Sequence, residues 1–432
     1  MRSLLRLGLG ARLVEAPFLV WSYYIAENNL RVAAPSWGKS PRSGEILLKP
    51  SFGLGQFPKD FLLCLGASLS AYSCISVFFL FPLVLELKGY EPLAIGTAWI
   101  IFEFVLLGTR GWVNHWLSVR GSRTGMILGS LALAAGVGLL SVGPSYPMIL
   151  LGRSLMGVGW GLFSIANTLH QARVLPTRLI GRGFGLSGLA PLLPQLGLIP
   201  LAEWTVRRGS PGLLFALSLS GCLFAVVFSW RLTPAKPGPI SHVPLGECLQ
   251  ESWAKPPLRA LLLSGSLFAL SAAGFMPYVA NAAMEWGIAG SSFLLPEALS
   301  AFVARLALGG WVDRYGKRLL VPYFGCIALG AMISMIGGTT ASFVVGGLLH
   351  GIGMGMVYPL LYSLLSRASD ERSRTALFTL FGTFIDLLWA IAPLAAAALA
   401  QLVGFGAVLR VSAILIAGIV LTMRWRVWPF LD

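Results

Sequence analysis

Long apolar runs recur along this chain, separated by short polar connections. An α-helix rises 1.5 Å per residue, so crossing the hydrocarbon core of a bilayer takes roughly 20 mostly apolar residues. Twelve runs meet that length, at about 61–85, 93–109, 124–143, 147–168, 183–205, 211–230, 258–283, 291–309, 319–338, 341–364, 375–401 and 406–424. The pattern predicts an all-α membrane protein of twelve transmembrane helices. The longest internal connection, 231–257, falls between the sixth and seventh helices and holds Pro234, Pro237, Pro239 and Pro244. It reads as a linker. The expected organisation is a six-helix unit over 59–230, the linker 231–257, a second unit over 258–424 and a tail over 425–432.

Residues 1–58 break the pattern. Phe18 to Ile25 is apolar but too short to span, and Met1 to Leu13 carries Arg2, Arg6 and Arg12 among leucines with no acid before Glu15. We read 1–58 as a basic, poorly ordered arm. An interfacial basic helix, a transit peptide and an overlong start are the alternatives.

Composition supports the membrane reading. The chain is 56% hydrophobic and 11% charged, where soluble domains spend about a quarter of their residues on charge. A formal net charge of +15 would suit nucleic acid on a soluble protein. Here the basic residues sit in turns between apolar runs, which excludes that class. Positive residues gather on the cytoplasmic side of a membrane protein. With both termini inside, the cytoplasmic connections hold eighteen Arg and Lys residues, from Arg110 to Arg426, against Lys88, Arg207, Arg208 and Arg410 outside. The expectation is a multi-pass protein of a bacterial inner membrane with both ends cytoplasmic. The five cysteines are scattered and odd in number, without a CxxC. Neither a disulfide framework, a metal nor a cofactor is called for.

The chain also repeats itself. Gly309-Gly310-Trp311-Val312-Asp313-Arg314-Tyr315-Gly316-Lys317-Arg318 has a weaker copy at Gly111-Trp112-Val113-Asn114-His115, 199 residues earlier (310 − 111). The fourth helix runs from Arg153 through Gly157, Gly159 and Gly161. The tenth has His350 with Gly351, Gly353 and Gly355. Small residues at such spacing let helix backbones approach closely where lipid gives no hydrophobic drive. In the fifth and eleventh helices, Arg182 precedes Pro200 and Arg374 precedes Pro393 at nearly equal spacing.

These motifs, over about 59–424, resemble the major facilitator superfamily (MFS) of secondary transporters. The turn with Gly309, Asp313, Arg314, Gly316, Lys317 and Arg318 looks like that family's signature between the second and third helices of a half. Arg153 with Gly157 and Gly159 resembles its fourth-helix pattern. The resemblance implies two six-helix bundles around a central cavity and alternating access. Two departures stand out. Asn114 replaces the usual aspartate, with extra residues around Leu117–Val119, and the fifth helix lacks the Gly-Pro-x-x-Gly-Gly ending of many exporters. By family analogy Asp313 faces the start of the fifth helix, near Ile180–Gly183. Asn114 faces the start of the eleventh, which carries Asp370 and Glu371. A carboxylate at a helix N-terminus is favoured by the dipole, so these contacts would latch the cytoplasmic side.

Ionisable residues inside a bilayer are costly and face the protein interior. Here they are Glu103, Arg153, Glu203, Glu297, Arg305, His350 and Asp386. All lie on helices that the resemblance places near the cavity. Asp386, His350, Glu297 and Glu103 are the proton-coupling candidates, because an apolar site favours the neutral form of a carboxyl and histidine titrates near neutrality. Arg153, Tyr72, Ser76, Tyr278, Asn281 and Trp389 are the cavity and substrate candidates. Arg305 reads as structural. A weak point at Gly274–Pro277 offers a bend in the seventh helix.

The expected function is secondary transport of a small solute by alternating access, coupled to protons, in a monomer embedded in the lipid bilayer. An exporter of drug- or siderophore-like compounds by proton antiport is one alternative. A non-transporting sensor or assembly partner is another. No enzyme motif is present, and without a P-loop direct ATP drive is not expected.

Overall fold

The computed structural model describes residues 54–430, apart from 144, 177–178, 235–244 and 369–373. The expected arm therefore lies outside the described residues, save for its last turn. The helices are α1 (Lys59–Leu87), α2 (Pro92–Arg120), α3 (Ser122–Ser141), α4 (Tyr146–Val174), α5 (Ile180–Ser187 and Leu192–Val206) and α6 (Gly212–Trp230). They continue as α7 (Pro256–Glu285), α8 (Ser291–Tyr315), α9 (Leu320–Gly337), α10 (Thr340–Ala368), α11 (Arg374–Val403) and α12 (Phe405–Thr422). Eleven of these paths, among the described residues, hold a stretch long and apolar enough to cross a membrane. The exception is α5, where the sequence predicts one continuous span. It breaks over 188–191, where glycine lowers helix propensity and Pro191 brings no N–H. The connection between the halves contains a helix, Leu245–Ala254, packed on α7 and α11.

Two other paths bend at their own breakers. In α7 the helix stops at Ala273 and passes through a 3-10 turn, Met276–Tyr278, at the Gly274–Pro277 weak point. In α1 a 3-10 turn at Phe78–Leu80 precedes Pro82.

The two halves repeat the same packing. The first places α3 along α4, α2 along α4, and α6 against α1 and α3. The second places α9 along α10, α8 along α10, and α12 against α7 and α9. The alternating glycines explain α4 and α10. Positions two apart on a helix point to nearly opposite sides. An added Cβ at Gly157 or Gly161 would strike Phe102 or Thr109 of α2, whereas at Gly159 it would strike Gly129 and Leu133 of α3. In α10, Gly351 and Gly355 abut Glu297 and Ala301 of α8, and Gly353 abuts Tyr323 of α9. Each helix is thus clasped from two sides at backbone distance.

The signature turn is a helix stop. Gly316 has φ +52° and ψ −132°, a conformation closed to L side chains, and its N–H caps Val312. In the first half Gly121 (φ +81°) caps Leu117. The extra residues near 117–119 therefore lengthen α2 by about one turn before the same kind of stop: α2 has 29 residues and α8 has 25. Gly316→Ala is expected to cost about 1–3 kcal/mol of stability, read as a lower unfolding temperature by tryptophan fluorescence in detergent. Gly309→Ala, at a position open to solvent or lipid, is expected to cost nothing.

We call the end bearing Gly121 and Gly316 the turn end, and the opposite end the far end. At the far end the bundles are sewn together. Asn281 of α7 donates to Glu86 of α1 at 2.6 Å. Glu203 of α5 accepts from the start of α8. Gln401 of α11 bridges Leu93 and Glu91 at the start of α2. Gly96 of α2 lies so close to Ala397 of α11 that a Cβ would not fit.

Candidate functional site

Arg305 lies about halfway along α8, where the bundles meet. Its Nε donates to the carbonyl of Gly355 in α10 at 3.0 Å. Its Nη1 donates to the carbonyl of Gly188, at the break in α5 of the other bundle. Both carbonyls lack their usual helical partner. The residue four beyond Gly355 is Pro359, which has no N–H, and Gly188 sits where α5 stops. Inside a membrane such orphaned groups must be satisfied by other parts of the protein. A further freed carbonyl, Pro191, accepts from Ser76 of α1 at 3.2 Å. Sequence reasoning assigned Arg305 a structural place near the turn. The structure makes it a cation at mid-depth that ties the two bundles.

Around Arg305 stand groups within its electrostatic reach: Tyr72 of α1, Tyr358 of α10 and Glu297, two turns earlier on α8. Asp386 of α11 is half-buried and in electrostatic contact with Tyr358. Tyr358 donates to Tyr362 at 3.0 Å. Tyr72 packs edge-on against Trp160 at 4.9 Å, and Trp389 lies 6.5 Å from Phe79 of the other bundle. Charges of both signs, phenols and indoles thus share the mid-depth region between the bundles.

Glu297 and His350 form a second group behind Arg305. Both are buried, and His350 Nδ1 lies 3.9 Å from Glu297 Oε1. Neither ring nitrogen of His350 has a hydrogen-bond partner among the described residues. The imidazole stacks on Phe275 at 5.6 Å and leans on Phe293 at 5.2 Å. Gly330 of α9 meets the His350 backbone from the other side. Two ionisable groups thus face each other beside aromatic rings.

Other expected site residues lie elsewhere. Arg153 is buried in the first bundle. It donates to the Ala98 carbonyl at 3.0 Å, inside a cage of Phe78, Phe81, Trp99 and Phe102, with Glu103 in electrostatic reach. Tyr278 is fully buried near the far end, bonded to the Pro393 carbonyl at 2.9 Å and stacked on Phe405. Asn281 belongs to the far-end seam. These placements take Arg153, Tyr278 and Asn281 away from the group around Arg305. Of the signature turn, Lys317 lies 5.7 Å from the Trp428 ring and Arg314 5.3 Å from Tyr315, and Arg318 is exposed. The side chains of Asn114 and Asp313, and all of 369–373, lie outside the described residues.

Sequence reasoning missed a polar group inside the first bundle. Asn167 donates to Ser68 at 2.7 Å and Gln171 accepts from Ser187 of α5 at 2.7 Å. It also missed Glu285, whose carboxylate accepts from Phe405 and Gly406, both at 2.8 Å, at the start of α12. Placing an acid just before a helical break, opposite another helix start, was the available signal.

The arrangement can be set beside known proteins. The family model described as Major Facilitator Superfamily matches residues 61–393 and 287–429. The chain is 23% identical over 354 residues to the uncharacterised MFS-type transporter YhhS of Escherichia coli strain K12, covering 79% of this chain and 85% of YhhS. Its fold resembles a POT family transporter solved with 5-aminolevulinic acid, at a TM-score of 0.69, 12% identity and 88% and 98% coverage. It also resembles the human organic anion transporter MFSD10, at a TM-score of 0.59, 16% identity and 84% and 99% coverage. Two repeated six-helix bundles, a mid-depth site between them and a family match along the whole helical region lead to one statement: the chain belongs to the Major Facilitator Superfamily and is a multi-pass membrane protein of the secondary-transporter class.

Proposed function

We propose that this protein moves a small polar organic solute by alternating access and couples the movement to protons, with Glu297 as the proton carrier. The observation that carries the reading is the Glu297–His350 pair: a buried carboxyl, on the same helix as the cation that joins the bundles, facing an imidazole that has no hydrogen-bond partner among the described residues. When Glu297 is ionised it attracts Arg305 along α8. When it is protonated, that attraction is lost and Arg305 is left to the Gly355 and Gly188 carbonyls and the solute. A proton at Glu297 thereby reaches the contact between the bundles. Asp386 and the phenols of Tyr72 and Tyr358 offer acceptors and donors to a solute that carries groups of both kinds. The excess of basic residues at the turn end supports a cytoplasmic turn end with both termini inside, and one chain holds a complete pathway.

The test uses full-length protein in proteoliposomes with an imposed pH gradient. A metabolite mixture from a cell extract is offered outside or loaded inside, and the accumulated or expelled solutes are read by mass spectrometry. At least one small organic solute is expected to move against its gradient and to stop when a protonophore is added. Movement of no solute above protein-free vesicles, or movement indifferent to the protonophore, defeats the reading.

A further inference from the structure

Glu203 is a buried ionisable residue that neither the site nor the proposed coupling uses. It lies near the far end of α5 and is fully buried. Its two carboxylate oxygens accept from the N–H groups of Gly290 at 2.5 Å and Ser291 at 2.6 Å. Those amides begin α8, in the opposite bundle. The first amides of a helix have no partner within it and carry the positive end of its dipole. Arg207, one turn further on, sits 3.6 Å from Glu203 and donates to the Ile288 carbonyl in the same connection. Gly290 is held from behind by α7 of its own bundle, where an added Cβ would collide with Ala280.

The internal repeat holds a counterpart. Glu203 and Gln401 both lie in the last turn of corresponding helices, α5 and α11, and Ser291 and Leu93 both lie in the first turn of α8 and α2. Gln401 Oε1 accepts from the Leu93 N–H at 3.2 Å, in the first turn of α2, and its Nε2 donates to Glu91 at 3.1 Å. The end of α5 thus caps the start of α8, and the end of α11 caps the start of α2. Both caps cross between bundles, at corresponding places in the two halves. One is a charged carboxylate and the other a neutral amide.

We propose that Glu203 and Gln401 form a paired far-end latch, in which each residue caps a helix start of the opposite bundle and the charged member at Glu203 holds the far end shut. Opening the far end must withdraw a carboxylate from two backbone amides. The ionised cap is held more strongly than the amide cap, because charge-assisted hydrogen bonds and the helix dipole both favour it. The latch is the far-end counterpart of the contact expected at the signature turn, built from different residues. It rests on alternating access but not on protons or on any particular solute.

The test reads the far end directly in full-length protein in nanodiscs, without solute or pH gradient. Spin labels are placed at Val142 and Thr340, both exposed at the far end on opposite bundles. Cys326, the one native cysteine that is not buried, is changed to alanine. Glu203→Gln keeps the size and the acceptor oxygen but removes the charge. It is expected to raise the open, long-distance population about tenfold relative to the parent. Gln401→Leu is expected to raise it by less, and Glu203→Asp to restore part of the closed population. Unfolding temperature is measured alongside, because a merely structural residue would lower it without moving the distances. If Glu203→Gln stays within twofold of the parent, the proposal is overturned. If that variant does not fold, an unchanged distribution in Gln401→Leu overturns it. Because the readout needs no transport, failure here and failure of the proton-coupled reading are distinguishable.

Discussion

Replacing Arg305 with alanine is expected to lower solute flux about 10- to 100-fold, with the protein still inserted in the membrane. The guanidinium satisfies two carbonyls that proline and a helix break have left without partners, Gly355 in α10 and Gly188 in α5. Hydrogen bonds from a charged donor contribute roughly 1.5–3 kcal/mol each, and 1.4 kcal/mol is tenfold in an equilibrium constant. The bond to Gly188 alone therefore shifts the balance of conformations by about one to two orders of magnitude, and losing the bond to Gly355 loosens α8 on α10 as well. One of the two bonds crosses between the bundles, so the loss falls on the motion as well as on the fold. Arg305→Lys is the informative control. Lysine keeps the charge but lacks the planar fork that reaches two carbonyls at once, so it should recover binding of the solute better than turnover. Flux in proteoliposomes, set against the amount of folded protein by size-exclusion chromatography, checks the prediction. Alanine flux within threefold of the parent would refute it.

Glu297→Gln is expected to abolish uphill movement and to spare downhill exchange. A pH gradient of one unit stores about 1.4 kcal/mol per proton, enough for roughly tenfold accumulation when one proton moves with each solute. Glutamine fills the same volume and keeps an acceptor but cannot carry the proton. The accumulation ratio should therefore fall to about one. Exchange of labelled for unlabelled solute should continue, because the path itself is intact. His350→Phe offers a second check. It preserves the stacking on Phe275 and Phe293 but removes the imidazole, and is expected to slow proton-driven movement more than exchange. Loss of exchange in step with accumulation in both variants would mean that the pair supports the fold and does not carry the proton.

Much of the fold was legible because the bilayer leaves few choices. A span needs a set length of apolar residues, so most paths appeared close to their expected places, although α2, α4 and α8 run past their expected ends of 109, 168 and 309 to Arg120, Val174 and Tyr315, and α5 is broken. The bend in α7 was legible for a local reason, a glycine and a proline within four residues. The break in α5 had comparable signals in Gly188, Pro191 and Pro194, but the unbroken apolar run around them hid it. The chemistry of the site was less legible, because it depends on groups brought from afar. Pro359 announces an orphaned carbonyl at Gly355, yet nothing nearby says that Arg305 answers it. Asn281 and Tyr278 carry the polar groups of a cavity wall. The structure turns them to Glu86 and to the Pro393 carbonyl, contacts 195 and 115 residues away in sequence. Arg153 reads as a partner for a buried acid or an anionic substrate, and nothing nearby in sequence announces the cage of rings that α1 and α2 wrap around it.

The broken path of α5 has one more consequence. The bundles meet along two principal seams, α5 with α8 and α2 with α11. The first is fastened by charge at two heights, Arg305 on Gly188 and Glu203 on the start of α8. On the second, the far-end tie is the amide of Gln401, beside the close packing of Gly96 on Ala397. A rocking motion between such bundles is lopsided. One edge must break charge-assisted ties at two depths, and the other must release the two hydrogen bonds of Gln401 at the far end. The barrier to turnover is then weighted toward one edge of a nearly symmetric molecule. α8 carries a partner in both ties and the buried carboxyl as well, so a solute that engages this one helix can govern the whole rotation.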